Sequence, residues 1–181
     1  GEDDPETIET LERMGFKRAS DISATIRGWH FGRYAATRSG KSKELLTELM
    51  PQLLLALARS GEPDLAFLAF DKFIAGLPAG VQLFSMLKAN PNLLDLIATI
   101  LGTAPRLAEQ LSARPRVLDA VLDPGFFDAL PQASEIQAMI ASVIPVGAAL
   151  DEVVDRVRII GREQMFRVGV RVLSETVSAV E

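Results

Sequence analysis

The sequence predicts an all-α fold: an irregular bundle of about nine to eleven helices in a single helical domain over residues 1–181. Three observations lead there. Apolar residues recur at spacings of three and four along most of the chain, as helices with one buried stripe require. Prolines, glycines and Ser/Asp/Asn residues punctuate that pattern where helices should start and stop. No stretch is low in complexity or rich enough in Ser and Gly to be a linker, so the connections are short.

Composition agrees. With 48% hydrophobic and 24% charged residues the chain has the balance of a folded protein and not of a disordered one. Only 6% of it is aromatic, so Leu, Ile, Val and Ala must supply most of the packing. There is no cysteine, which excludes disulfides and thiolate metal sites and points to the cytoplasm. The longest uncharged runs, residues 73–87 and 136–150, are broken by Gly76, Pro78 and Gly80 and by Pro145 and Gly147. Both are too short to cross a bilayer. The acidic N-terminus is no signal peptide, and Gly1 reads as a residue left by tag removal.

The elements follow in order. Asp4-Pro5-Glu6 is an N-cap, a first-turn proline and a first-turn acid, leading to Ile8, Leu11 and Met14 and stopped by Gly15. A second helix begins near Ser20–Asp21 and carries Ile22, Ile26 and Trp29 on one face. After Ser39-Gly40 a third runs through Leu45, Leu49 and Leu53, with Pro51 expected to kink or split it. Pro63-Asp64 opens a fourth, with Phe67, Phe70 and Ile74 together and Gly76 at its close. A fifth spans residues 78–89, Asn90 caps a sixth ending at Gly102, and Thr103 caps a seventh through Leu107 and Leu111. Pro115 starts an eighth, stopped by Asp123-Pro124-Gly125. Ser134 with Gln137 resembles a capping box before Ile136, Met139 and Ile140.

The last helix, from about Gly147, meets a competing signal. Phe166, Val168, Val170 and Val172 alternate with Arg167, Gly169 and Arg171, as in a strand. The helical template, with Ile159, Phe166, Val170, Leu173 and Val177 on one face, matches over a longer window, and no second strand lies nearby to pair. Helix is the better reading. One further pattern, ANPNLLDLI at residues 89–97 and ARPRVLDAV at 113–121, repeats with too few copies for a solenoid. It reads as two helix starts, each with a first-turn proline followed by Asp95 or Asp119 near the positive helix end.

Little in the chain looks like chemistry. AATRSGKS, residues 35–42, ends like a phosphate-binding loop, but Ala35 stands where the pattern needs glycine and no buried strand precedes it. A helix break followed by a new N-terminus explains it better. His30 is the sole histidine, so no histidine pair can hold a metal. No Asp-x-Asp pair able to hold two magnesium ions occurs. No catalytic, cofactor-binding or metal-binding residue is assigned.

Charge is the one uneven property. Residues 17–43 hold Lys17, Arg18, Arg27, Arg33, Arg38, Lys41 and Lys43 against Asp21 alone, inside a chain of net charge −5. Arg27, Trp29, Arg33 and Tyr34 sit at helical spacings that let cations and aromatics flank one face. With Arg38 they form the candidate partner-binding set. The competing reading is a solvated face, or a salt-bridge partner for the acidic residues 1–16. A nucleic-acid partner is disfavoured by the acidic total and the short patch. An acidic protein surface suits it better.

Several phrases resemble the bifunctional glutamine synthetase adenylyltransferase/adenylyl-removing enzyme family. They are LERMGF (11–16), residues 26–54 from IRGWHFGRYAATRSGKS onward, residues 70–123 from FDKFIAGLPAG to RVLDAVLD, and VVDRVRIIGREQMFRVGVRVL (153–173). The stretch from Leu77 to Asp123 is specific for the family, and residues 126–148 are the least diagnostic. The resemblance implies a parent chain with two nucleotidyltransferase halves, one attaching AMP to glutamine synthetase and one removing it. This chain looks like the helical segment between the first half and the catalytic sheet of the second, excised from the whole. The family's Gly-Ser and Asp-x-Asp signature, which binds Mg-ATP, is absent here. The resemblance therefore implies Mg2+ and ATP for the parent, and neither in this segment. It also implies partners: the catalytic halves of the same chain, glutamine synthetase and a PII signalling protein, but no nucleic acid and no membrane. The alternative is a freestanding helical adaptor that binds an acidic protein through residues 17–43.

Overall fold

The computed structural model of the chain describes residues 4–113 and 130–178, the last five of these by backbone alone. Among the described residues there are nine α-helices, one 3-10 turn and no strand, an all-α multi-helix fold. The eighth helix expected at Pro115, its stop at residues 123–125 and the second copy of the ANPNLLDLI pattern lie outside the described residues. The chain divides into two compact units, Gly1–Pro115 and Arg116–Glu181.

The first unit holds α1 (Pro5–Arg13), α2 (Ala19–His30), the 3-10 turn η1 (Ala35–Thr37), α3 (Gly40–Arg59), α4 (Pro63–Ala75), α5 (Val81–Ala89), α6 (Pro91–Thr103) and α7 (Pro105–Ala113). Its centre is α3, which packs against α4, α5 and α6, while α4 and α6 lie closely together. The reason is visible in the spacing. Leu45, Leu49, Leu53 and Leu57 recur every four residues, Leu46 lies beside them, and all are buried. Facing them, α4 buries Phe67, Phe70, Phe73 and Ile74, and α6 buries Leu94, Ile97, Ile100 and Leu101. Burying each such side chain contributes about 1.5–3 kcal/mol before entropy is charged against it.

Pro51 does not split α3, which continues through it. Proline lacks the N–H that would bond the Thr47 carbonyl, but Pro51 and Thr47 are both exposed, so water can satisfy that group. The start of α1 is as expected: the Asp4 carboxylate accepts from the Glu6 N–H at 3.3 Å and the Thr7 hydroxyl at 2.8 Å. Gly15 then turns the chain at φ +100.

Three expected caps are made differently. The Asn90 side chain turns back, its amide donating to the Met86 carbonyl at 2.9 Å, so it closes α5 instead of opening α6. Thr103 is the last residue of α6 and donates its hydroxyl to the Thr99 carbonyl at 2.6 Å; Ala104 separates it from α7. The fifth helix starts at Val81, three residues later than expected, because Gly80 is pressed against η1. A Cβ on Gly80 would sit 2.2 Å from the Ala36 carbonyl oxygen and 2.5 Å from the Phe84 ring. Gly102 does not stop α6 either. It makes room for Ser60, whose Oγ would lie 2.4 Å from an added Cβ.

In the second unit, α8 (Ala133–Val143) starts two residues before the expected frame. Its cap is Gln132 with Glu135, whose carboxylate accepts the Gln132 N–H at 2.6 Å, and not Ser134 with Gln137. The side chain of Arg156 donates to the Val143 carbonyl and pairs with Glu152 at 2.8 Å, placing a cation at the negative end of α8. The 29-residue α9 (Leu150–Ser178) settles the strand-or-helix question as helix. It buries Ile160, Phe166 and Val170, while Ile159, expected on that face, is exposed. Gly161, in the interior of α9, has nothing within 4 Å of where a Cβ would sit. A glycine there costs about 1 kcal/mol relative to alanine.

The close approach at Gly80 is testable. Gly80→Ala would clash with backbone that has no rotamer to escape into, and should cost about 1–3 kcal/mol. Urea unfolding should show a lower midpoint with an unchanged slope; an unchanged midpoint would mean the contact is not tight.

Candidate partner-binding surface

Two aspartates of α4 position the region that carries the basic segment. Both oxygens of Asp64 accept backbone N–H groups, from Lys17 and Arg18, each at 3.0 Å, at the entry to α2. This is a helix cap supplied from another helix, and it satisfies donors that α2 cannot satisfy itself. Two turns further along α4, Asp71 accepts the Trp29 indole N–H at 2.8 Å and the Tyr34 hydroxyl at 3.1 Å. Trp29 is stacked on Phe67, with centroids 5.1 Å apart and rings inclined by 18°, and meets Phe70 edge-on at 5.8 Å. It is 0% exposed.

The five candidate residues are therefore divided. Trp29 is a core side chain, which removes it from any contact surface. Tyr34 is half-buried. Burial raises its pKa above 10.0, and the hydrogen bond to Asp71 and that carboxylate's charge push the same way. Arg33 lies over the Tyr34 ring, its guanidinium carbon 5.4 Å from the centroid, and partly offsets the rise. Arg27 donates to the Ser23 hydroxyl at 3.0 Å along α2 and is half-buried. Arg38, just after η1, is exposed.

What the sequence reading missed is Phe31, 86% exposed at the end of α2. Gly32 follows at φ +80, close to the Arg38 backbone and the Lys43 side chain. The outward surface thus consists of Phe31 with Arg33, Arg38 and Lys43, an apolar ring among cations. The signal was present: Phe31 falls off the Ile22–Ile26–Trp29 stripe and immediately precedes a glycine. His30 bridges α2 to α3, its Nδ1 2.9 Å from the Ile26 carbonyl and its Nε2 3.0 Å from the Thr47 hydroxyl.

A cleft of about 100 Å³ between α2 and α4 collects Arg18, Asp21, Asp64 and Asp71 over Ile22, Phe67 and Leu68. Its carboxylates are already engaged: Asp64 and Asp71 as described, and Asp21 with Arg18 at 2.7 Å. Each of these carboxylates is thus held by donors of the neighbouring segment. Among the described residues no three His, Cys, Asp or Glu are grouped to hold a metal. The Ser39–Ser42 turn is equally structural. The Ser39 hydroxyl accepts the Ser42 N–H at 3.1 Å, and Lys41 pairs with Glu44 at 3.1 Å. No helix among the described residues is long and apolar enough to cross a membrane.

The family model for glutamate-ammonia ligase adenylyltransferase matches residues 94–181. The chain is 48% identical over 180 residues to the bifunctional glutamine synthetase adenylyltransferase/adenylyl-removing enzyme of Rhizobium meliloti (strain 1021), covering 99% of this chain and 18% of that one. The chain belongs to that family. A second relative of the same description, from Mesorhizobium japonicum, is 49% identical over 175 residues, 97% of this chain and 18% of its own. The one from Bradyrhizobium diazoefficiens is 38% identical over 179 residues, again 18% of its length. The chain thus spans under a fifth of the curated relatives it matches. No solved structure matches it.

The Tyr34–Asp71 contact predicts an alkaline dependence. Because the folded-state pKa of Tyr34 is raised, its contribution to stability is full below pH 10.0 and is lost as pH climbs through the higher folded value. The chain has one tyrosine, so tyrosinate absorbance reports this group alone. Its midpoint should lie above 10.0 in the folded chain and fall to that value in denaturant. Equal midpoints would remove the contact from the account.

Proposed function

We propose that these residues form a non-catalytic helical segment of a cytoplasmic enzyme that adenylylates and deadenylylates glutamine synthetase in nitrogen regulation. The observation that carries this reading is the 48% identity running through 99% of the chain to an enzyme of which that match is only 18%. The segment's work is positional. It packs between the two catalytic halves of the parent chain, where Mg-ATP is bound, and helps present glutamine synthetase or a PII signalling protein. The engaged carboxylates of the α2–α4 cleft support a structural role for this piece. The test is incubation of the 181-residue chain with Mg-ATP and glutamine synthetase. No AMP transfer is expected; transfer would refute the non-catalytic reading.

Within that role the outward surface of Phe31, Arg33, Arg38 and Lys43 is the contact for an acidic protein face. The exposed ring supplies area that loses water on contact, and the cations supply steering and register. The double variant Phe31→Ser with Arg38→Glu changes only exposed side chains. It should weaken binding of glutamine synthetase or PII at least tenfold while leaving the thermal midpoint within about 2–4 °C, since each surface substitution is worth under ~0.5 kcal/mol. Unchanged affinity for both would reduce the basic segment to a solvated face.

A further inference from the structure

The long helix α9 is apolar on two opposite sides. One side buries Ile160, Phe166 and Val170. The other presents Leu150, Val154, Val157, Met165 and Val168, all exposed, with Leu150 and Met165 at 79% and 69%. They follow one another at helical steps of three and four once Gly161 is counted among them. The exposed stripe runs for five turns, roughly 27 Å. A helix with apolar residues on both sides belongs between two layers, and one layer is accounted for.

Gly161 says what kind of neighbour the outer side is built for. It lies at the middle of the stripe and has no contact that a side chain would disturb. It is not among the glycines at positive φ, so no turn requires it. Elsewhere the chain uses helix-linked glycines for close approach, at Gly80 against Ala36 and at Gly102 against Ser60. At Gly161 nothing among the described residues comes that close. A glycine midway along an apolar ridge lets a crossing helix come near the short end of the usual 8–10 Å axial separation.

We propose that the outer stripe of α9 is an interdomain docking face, covered by an apolar helix from the part of the enzyme chain outside these residues. The proposal rests on reading the chain as a segment of an adenylyltransferase. The relatives carry over four-fifths of their length outside the matched segment, on the same polypeptide. A tethered neighbour acts at an effective concentration near millimolar, which favours it over a second copy of the chain. The edge of the stripe carries exposed Arg162 beside Arg158, which pairs with Asp155 at 3.6 Å, so an acidic residue of the covering helix would meet Arg162.

The experiment is oxidative footprinting of Met165 in the 181-residue chain and in the full-length enzyme that contains it. Met165 should oxidise several-fold more slowly in the full-length enzyme. Gly161→Leu should abolish that protection, whereas Gly161→Ala should raise the thermal midpoint of the 181-residue chain by about 2–4 °C, because nothing there needs the glycine. Equal oxidation in both chains overturns the docking face. Protection that grows with the concentration of the short chain also overturns it, since a second copy would then be the occupant. Unchanged protection in Gly161→Leu overturns the close helix crossing. These outcomes are independent of AMP transfer by the short chain, which would instead refute the non-catalytic reading.

Discussion

Two aspartates on one helix hold the N-terminal half of the first unit together. Asp64 and Asp71 lie two turns apart on α4, and between them they grip α2 at its entry and near its exit. Hydrogen bonds to a charged group are worth about 1.5–3 kcal/mol each, more than neutral ones. Their larger effect is on specificity. With Asp71 fixed on the indole N–H, the Trp29 ring can lie flat on Phe67, and burying that ring contributes about 4–6 kcal/mol gross. The same carboxylate takes the Tyr34 hydroxyl, which sets the chain direction leaving α2. The turn at Gly32 and the placement of Arg33, Arg38 and Phe31 then follow.

This arrangement separates two uses of aromatic and basic residues that are neighbours in sequence. Trp29 goes inward because it lies on the stripe of Ile22 and has an acceptor waiting for its N–H. Phe31, two residues later, goes outward because the helix has ended and Gly32 reverses the chain. The cations face water by default, being costly to bury, and gather around whichever apolar side chain stays outside. The exposed Phe31 ring among cations is thus a by-product of how the core residue was placed.

The helices and most of their ends were legible from local pattern. Leu45, Leu49 and Leu53 mark the inner face of α3, Pro63 and Pro91 mark starts, and Phe67, Phe70 and Ile74 share a face as their spacing requires. Local rules failed where a choice was open between equivalent partners. Asn90 could cap either adjoining helix and took the preceding one; Thr103 could cap α7 and bonded within α6. Gly80 and Gly102 read as breakers, yet each is there because another segment passes within van der Waals distance. The family, too, was legible, carried by phrases such as the one from Leu77 to Asp123.

By itself the sequence determined helix content, the inner faces and the uneven charge, because each depends on residues within a turn or two of one another. Only the tertiary structure decided that Trp29 is core and Phe31 is surface. It alone decided that Asp64 and Asp71 anchor α2, and that α9 carries exposed apolar residues opposite its buried ones. The aspartate contacts join residues some forty positions apart in the chain. Which donor meets which acceptor at that distance is settled by packing, and no local pattern encodes it.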